Sequence, residues 1–199
     1  ILLRTDPEQI EAITDALNLG ILPEIYVSAG TVVVVETPSA AIRNEDGPAR
    51  QIAIVNANRL RNLLAAHTYT YRMVGRNIGG ERVEVEEETL PTVEIVKDTL
   101  STREWPKLRP LNGIVAAPFF RPDGELVQKP GYDEATGLIL DPVLNLEPIP
   151  DNPSVEDLRA ARSFILNDLL GNFPWVDNAS KANYIAALAA PITRTYLGG

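Results

Sequence analysis

One stretch of this sequence concentrates side chains that suit binding to a nucleic-acid strand. Between Arg50 and Arg76 there are five arginines and no acidic residue, whereas the whole chain has 27 acidic and 18 basic residues. Guanidinium groups bind phosphates and tyrosine rings stack on bases, so this mixture of residue types fits a DNA strand. The residues that we predict to contact nucleic acid are Arg59, Arg61, Arg72, Arg76, Tyr69 and Tyr71.

The same stretch also has a purely structural interpretation. Arg59 and Arg61 are two positions apart on a predicted helix and therefore do not share a face. Tyr69 and Tyr71 alternate with other residues and could form the inward side of a strand. A formal net charge of −9 also has the wrong sign for a free-standing DNA-binding domain.

Three aspartates in a loop-rich stretch are candidates for a metal site. Asp123, Asp133 and Asp141 offer the hard oxygen ligands that Mg²⁺ prefers. Each of them stands where aspartate favours a turn: between proline and glycine, at the start of Asp-Glu-Ala-Thr-Gly, and before proline. We therefore predict turn formation and no metal site.

The sequence contains few of the residue types that catalysis requires. It has one histidine, His67, and no cysteine, which excludes clustered histidine ligands, thiolate zinc sites and cysteine nucleophiles. Both glycine-rich phosphate-binding patterns, G-x-G-x-x-G and G-x-x-x-x-G-K-[ST], are absent. We predict that this chain is not an enzyme, has no catalytic residue and binds no cofactor.

The hydrophobic pattern predicts an α+β chain whose first part, residues 1–104, has two β-hairpins between helices. A capping threonine, an early proline and isoleucines at helical spacing indicate the first helix, and β-branched segments around Ala29-Gly30 indicate the first hairpin. The predicted elements are a helix from Thr5 to Gly20, strands at 24–28 and 31–36, a loop at 37–50, a strand at 52–55, a helix from Asn56 to His67, a hairpin with its turn at 77–80, and a short helix from Pro91 that Trp105-Pro106 ends.

Two further parts follow, a turn-rich β segment at 105–150 and a helical part at 151–199. Prolines and glycines separate predicted strands at 113–120, 125–128 and 137–140, with a strong turn signal at Pro122-Asp123-Gly124. Ser154 is the predicted N-cap of a helix, and a second helix at 180–190 ends or kinks at Pro191. Four residues of the first of these helices share one apolar face: Leu158, Ala161, Ile165 and Leu169.

The second half of the chain resembles a known family. Residues 105–124 read WPKLRPLNGIVAAPFFRPDG and residues 131–138 read GYDEATGL. They are similar to a pattern, roughly L-x-G-[IV], P-x-x-R-x-D-G and G-Y-D-x-x-T-G, that lies just upstream of the P-loop ATPase domain in primase-helicase-like replication proteins of phages and mobile elements. The tail, with Phe173-Pro174-Trp175 before an alanine-rich helix, resembles that family's approach to its Walker A strand. The resemblance covers about residues 105–199 and includes the first hundred residues only loosely.

The resemblance implies an accessory region of a DNA-replication or mobile-element ATPase, with the ATP-hydrolysing part further along the parent chain. It gives no residue of this segment a catalytic role. The residue types of the shared motif indicate turn formation and packing, and the motif residues are Arg121, Asp123, Gly124, Gly131, Tyr132, Asp133 and Gly137.

We therefore expect a cytoplasmic, non-catalytic region that positions DNA or neighbouring subunits. Its expected partners are DNA, the downstream ATPase domain of the same parent chain and further copies of itself in a homo-oligomer. A membrane is not among them, because no apolar run approaches the ~20 residues of a membrane helix. The alternative is a structural oligomerisation or protein-binding module without nucleic-acid contact, which the acidic balance favours.

Overall fold

The structure, a computed structural model, describes residues 1–38, 50–102, 104–142 and 147–194. The chain forms two compact units: unit 1 comprises Ile1–Ile114 and Gly137–Ile139, and unit 2 comprises Val115–Thr136 and Leu140–Gly199. Helices and several small antiparallel sheets confirm the predicted α+β class. Most of the loop predicted at 37–50 lies outside the described residues.

Unit 1 alternates helices with antiparallel strands. Its first eight elements are α1 (Asp6–Asn18), β1 (Ile25–Ser28), β2 (Thr31–Glu36), β3 (Gln51–Ile54), α2 (Ala57–His67), β4 (Tyr71–Ile78), β5 (Glu81–Glu88) and α3 (Val93–Leu100).

These helices begin where the sequence supplies capping groups. The Asn56 side chain accepts a hydrogen bond from the Arg59 N–H at 2.9 Å, and Thr92 caps α3 in the same way. Before α1, the Glu8 carboxylate accepts hydrogen bonds from both the N–H and the hydroxyl of Thr5. Because helix ends otherwise leave polar groups unpaired, these contacts explain where the three helices start.

The core of unit 1 lies between the helices and one face of the β1–β2–β3 sheet. β2 is the central strand, with Val34 paired to Ile25 on one side and to Ala53 on the other. α1 and α2 both pack against α3. The four valines 32–35 of β2 are all buried, as their apolar character on both faces predicts. Other fully buried core side chains are Ile13, Leu17, Leu60, Leu64 and Val96.

β4 and β5 form a separate two-stranded hairpin that pairs over eight residues in unbroken register. Its turn is Gly79-Gly80, and both glycines have a positive φ that residues with side chains rarely adopt. At its base, the Leu3 N–H donates to the Tyr71 carbonyl oxygen at 2.7 Å, and the Tyr71 N–H donates to the Ile1 carbonyl oxygen at 3.0 Å. Most residues beyond this base are exposed on both faces of the hairpin.

The second half of the chain has short strands and then helices. Its elements are β6 (Gly113–Val115), β7 (Phe119–Phe120), β8 (Leu126–Val127), β9 (Gly131–Asp133), β10 (Leu138–Leu140), α4 (Val155–Ser163), a π-helical segment (Phe164–Leu169) and α5 (Asn178–Thr193). β6 and β10 are neighbours in a small sheet, and β7 pairs antiparallel with β8.

Several elements differ from the sequence prediction, and α5 continues through Pro191 to Thr193 instead of ending at 190. The strand predicted at 113–120 is divided into β6 and β7, because Pro118 lacks the N–H that a continuous strand would donate. β9 is too short to show an alternating pattern, so the sequence predicts no strand there. α3 ends at Leu100, well before Trp105, where the Ser101 hydroxyl donates a hydrogen bond to the Asp98 carbonyl oxygen.

Candidate functional site

The two arginines of α2 are both engaged in contacts within unit 1. Arg59 forms an ion pair with Glu36 at the end of β2. The Arg61 Nε donates a hydrogen bond to the Pro91 carbonyl oxygen at 2.9 Å. These contacts connect α2 to β2 and to the segment before α3, so both arginines have a structural role.

Arg72 and Arg76 lie on one face of the hairpin, because alternate residues of a strand point to the same side. The Arg72 Nη2 lies 3.4 Å from the Glu87 Oε2 on the paired strand. Arg76 stands opposite Val83 and has no acidic partner among the residues that the structure describes. Arg76 is therefore exposed and able to bind an anion.

Tyr69 and Tyr71 stack on each other, with ring centroids 5.4 Å apart. Tyr71 occupies an odd position of β4, so its side chain is on the opposite face from Arg72 and Arg76. Tyr69 is 51% exposed, and His67 is exposed at the last position of α2. The structure brings the two tyrosines together but does not place Tyr71 on the face that carries the hairpin arginines.

The hairpin carries more acidic than basic side chains. Within the described chain, only Glu87 among the β5 glutamates forms an ion pair. Glu84, Glu86 and Glu88 alternate along the face shared with Tyr71 and form a row with a spacing of about 7 Å. The basic stretch and this acidic row are separate in the sequence, but β4 and β5 place them on one hairpin. The acidic residues of β5 are Glu81, Glu84, Glu86, Glu87 and Glu88.

Arg121 and Asp133 form an ion pair within the turn-rich part of unit 2. The Arg121 Nε donates to the Asp133 Oδ1 at 2.9 Å, and its Nη2 donates to the same oxygen. Asp133 is only 4% exposed, and its other carboxylate oxygen accepts hydrogen bonds from the N–H and hydroxyl of Thr136 at 3.0 and 2.7 Å. The Arg121 guanidinium and then the Thr136 hydrogen bonds hold the pKa of Asp133 below its ordinary value. Sequence reasoning anticipates the turn at Asp133 but misses the ion pair, since nothing in the pattern connects residues twelve positions apart.

The other motif residues lie in or beside tight turns. The Asp123 carboxylate accepts a hydrogen bond from the Glu125 N–H at 2.9 Å, and the Gly124 N–H donates to the Arg121 carbonyl oxygen at 3.0 Å. Tyr132 is half-buried in β9. The motif glycines with positive φ are Gly124, Gly131 and Gly137.

The three aspartates considered as metal ligands have separate surroundings. Asp123 closes its own turn and Asp133 is paired with Arg121, while the Asp141 N–H donates to the Val115 carbonyl oxygen. In the parts of the chain that the structure describes, no group of three or more histidine, cysteine or acidic side chains is placed to hold a metal ion.

The helical part of unit 2 exposes a large apolar surface. α4, the π-helical segment and α5 contain no buried residue. α5 has a single charged side chain, Lys181, in 16 residues. Helices that are apolar on most sides are normally covered, and extended exposed apolar patches are typical of interaction sites. The exposed large side chains of residues 155–193 are Val155, Leu158, Phe164, Leu169, Phe173, Val176, Tyr184, Leu188 and Ile192.

The π-helical segment explains why the predicted common face is not observed. A common face for Leu158, Ala161, Ile165 and Leu169 assumes one continuous α-helix. From Phe164 onwards the wider π-helical turn changes the direction in which successive side chains point. Ile165 is half-buried, whereas Leu158 and Leu169 are exposed, at 60% and 57%.

An aromatic cluster holds the chain between the π-helical segment and α5. The Trp175 ring lies 4.4 Å from that of Phe173 and 5.5 Å from that of Tyr184, centroid to centroid. Its Nε1 donates a hydrogen bond to the carbonyl oxygen of Leu170 at 3.1 Å, and Leu170 itself is buried. Trp175 therefore fixes the connection between the helices, as expected for a packing residue.

Comparisons with known proteins provide no relative for these surfaces. No protein-family model, curated protein or solved structure shows a significant match to this chain. Across the described segments, no helix has the length and apolar character needed to cross a bilayer.

Proposed function

We propose that this chain is a non-catalytic accessory region that docks onto a protein through the helices of unit 2. The docking surface comprises the exposed apolar side chains of residues 155–193. The observation that carries the proposal is the absence of any buried residue in α4, the π-helical segment and α5, although these elements are rich in large apolar side chains.

Burial of this surface by a partner would stabilise the complex through the hydrophobic effect. Complete burial of a leucine or phenylalanine side chain stabilises a protein by about 1.5–3 kcal/mol relative to full exposure. Leu158 and Phe164 are 60% and 59% exposed, so a partner that covers them would gain roughly 1 kcal/mol or more from each. Several such contacts together support a specific protein complex.

The resemblance of residues 105–199 to the region upstream of a P-loop ATPase domain supports a particular partner. We place this chain in a cytoplasmic replication protein of a phage or mobile element, where the docking surface would contact the ATPase domain of the same parent chain. ATP hydrolysis would belong to that domain. A second copy of this chain is the alternative occupant, which would make the surface an oligomerisation interface.

Hydrogen exchange tests the docking surface. We expect the backbone amides of α4 and α5 to exchange more slowly in a parent protein that includes the ATPase domain than in the 199-residue chain alone. The double variant Leu158→Ser/Leu188→Ser should lose this protection, whereas Ile54→Ser/Ile78→Ser, which alters two exposed apolar residues of unit 1, should retain it.

Equal exchange in the two proteins would contradict docking onto the ATPase domain. Protection that appears in the isolated chain as its concentration rises would instead identify a second copy as the occupant.

Positioning of DNA is a second candidate function. It is favoured by Arg76, which is exposed without an acidic partner in the described chain. Phosphate contacts should give binding that weakens steeply with salt. Arg72→Glu/Arg76→Glu should weaken binding about equally for all DNA sequences and flatten its salt dependence, as expected for contacts with phosphates rather than with bases.

A matched control separates this surface from total charge. Lys97→Glu/Lys129→Glu makes the same charge change at two exposed positions elsewhere. It should leave DNA affinity nearly unchanged, because salt limits the range of interactions between exposed charges to about 8–10 Å. Undetectable DNA binding at low salt would reject this candidate.

A further inference from the structure

Along its outer edge, β5 has backbone hydrogen-bonding groups that have no partner in the described part of the chain, and the contacts of Tyr71 show which residues carry them. The N–H and C=O of Tyr71 point away from β5, because they bond to Ile1 and Leu3. Tyr71 stands opposite Glu88 in the ladder. Because Tyr71 does not bond to Glu88, this is a non-hydrogen-bonded pair, in which both residues direct their backbone N–H and C=O groups away from the partner strand. Since this pattern repeats every second residue, the outward-facing backbone groups of β5 belong to Arg82, Glu84, Glu86 and Glu88.

The residues that offer backbone groups at this edge also carry the acidic row. Glu84, Glu86 and Glu88 stand opposite Gly75, Met73 and Tyr71, none of which is charged, and the Arg82 guanidinium lies on the same face beside Gly75. None of the three glutamates forms an ion pair in the described part of the chain. The edge therefore combines hydrogen-bonding groups that have no partner in the described chain with carboxylates at three of its four outward positions, the fourth being Arg82.

Charge decides which strand fits this edge. A second β5 added to it would bring rows of glutamates into contact, and like charges across a strand pair are destabilising. A nucleic-acid strand would be repelled by the same row. An extended segment with lysine or arginine at alternate positions would place a positive charge next to each carboxylate while its backbone continues the ladder.

We propose that the outer edge of β5 binds an extended, basic segment of a partner protein by strand addition. The site is in unit 1 and is independent of the proposed docking through the helices of unit 2. Edge strands avoid pairing by being short, bulged or interrupted by proline, or by carrying charged side chains, and charges alone do not exclude a segment of the opposite charge. β5 has eight residues in unbroken register and no proline.

A synthetic peptide of alternating lysine and threonine, as long as β5 and blocked at both ends, tests the proposal with the full 199-residue chain. In the complex, exchange of the Glu84, Glu86 and Glu88 amides should slow, because their N–H groups acquire acceptors. A peptide of alternating glutamate and threonine should not bind.

The contribution of charge is measured with Glu84→Gln/Glu86→Gln/Glu88→Gln. This variant should bind the lysine peptide about tenfold more weakly, since each exposed pair contributes roughly a twofold to threefold gain in affinity. Glu11→Gln/Glu94→Gln/Glu134→Gln removes three exposed carboxylates elsewhere and should bind like the unmodified chain.

The contribution of the backbone is measured with Glu86→Pro. Proline removes an outward N–H without removing a bond to β4, so this variant should bind more weakly than Glu86→Gln. If Glu86→Pro disrupts the hairpin, the same question is answered by a peptide N-methylated at alternate residues, which should fail to bind the unmodified chain.

Three results would overturn the proposal. Equal weakening by both glutamine triple variants would show attraction to net charge alone. Undiminished binding of the N-methylated peptide would show that no strand is added. Absence of peptide binding together with self-association that requires Glu84, Glu86 and Glu88 would identify a second copy as the occupant.

Discussion

Asp133 shows how a single buried carboxylate can organise several turns. It accepts hydrogen bonds from the Arg121 guanidinium on one oxygen and from Thr136 on the other. Arg121 in turn pairs with Glu125 across the turn that Asp123 closes. A buried charge is costly unless it is fully paired, so removing Arg121 or Thr136 leaves an oxygen of the Asp133 carboxylate without its partner.

Asp133→Asn should lower stability in a pH-dependent way. At neutral pH we expect a loss of about 1–3 kcal/mol, because a charge-assisted hydrogen bond to Arg121 disappears. The native pKa of Asp133 is lowered, so its stabilising contribution is complete above the ordinary aspartate pKa of about 3.9 and is lost as the pH falls below that value. The difference between the two proteins in denaturant midpoint should therefore shrink in acid.

Glu134→Gln, at an exposed neighbouring position, should change stability little at any pH. A constant difference between Asp133→Asn and the unmodified chain from neutral to strongly acidic pH would contradict the role assigned to the ion pair.

Gly137→Ala should be destabilising by about 1–3 kcal/mol for two reasons. The φ of Gly137 is +66°, and an added Cβ would lie 2.9 Å from the Asn112 Nδ2 and 3.2 Å from the Pro110 carbonyl oxygen. Gly113→Ala is the matched control, since its Cβ would meet only the Leu138 Cδ2 at an ordinary 3.5 Å. Thermal melts that place Gly113→Ala below Gly137→Ala would refute this account.

At the level of single elements, the β1–β2 hairpin contains a strained residue. Its two-residue turn is Ala29-Gly30, and both residues have a positive φ, +48° for Ala29. Turns of this kind match the twist of the strands but favour glycine or asparagine at both positions. Ala29 therefore adopts a backbone conformation that costs about 1–2 kcal/mol for a residue with a Cβ.

Replacing alanine with glycine should therefore raise stability at position 29 and lower it at position 65. Ala29→Gly should raise stability by about 0.5–1 kcal/mol, because the relief of strain exceeds the added freedom of the unfolded chain. Ala65→Gly, at an exposed position of α2, should lower stability by about 1 kcal/mol. Chemical denaturation of both variants checks the signs, and a destabilised Ala29→Gly would show that the turn is not strained.

Elements with a local signal were predictable from the sequence, and elements without one were not. Asn56 and Ser154 identify helix starts through their own hydrogen bonds, and the alternation in β4 and β5 identifies a hairpin. β9 has three residues and the π-helical segment has six, and segments this short carry no periodic signal in the sequence.

Fewer features of the candidate sites were predictable, because they depend on contacts between residues that are distant in the sequence. The arginine-rich stretch is visible in the sequence, but the ion pair of Arg59 with Glu36 joins residues whose proximity depends on the fold. The separation of Tyr71 from Arg72 follows directly from strand alternation. The acidic row becomes informative only when the outer edge of β5 is known to have no partner strand in the described chain.

For the whole molecule, surface charge and exposed apolar side chains have opposite effects on the association of copies. A net charge of −9 opposes the association of copies at neutral pH, while the exposed side chains of residues 155–193 favour it. As the pH falls towards the carboxylate pKa values of about 4, the net charge approaches zero and repulsion disappears.

Light scattering should therefore rise as the pH is lowered from 7 towards 4. Leu158→Asn/Leu188→Asn leaves the charge unchanged and should move the onset to lower pH, whereas Ile54→Asn/Ile78→Asn should have a smaller effect. An unchanged onset in the first variant would show that residues 155–193 do not drive the association.

Unit 1 includes residues 137–139, which are synthesised only after residues 115–136 of unit 2. The Asn112 N–H donates to the Gly137 carbonyl oxygen at 2.8 Å, so unit 1 stays incomplete while residues 115–136 emerge from the ribosome. At about 5–20 residues per second, this interval of roughly 20 residues lasts about 1–5 s. During that time the Asn112 N–H lacks its acceptor at Gly137 and β6 lacks its neighbouring strand β10, so a nascent chain arrested before Gly137 would expose both to chaperones or proteases.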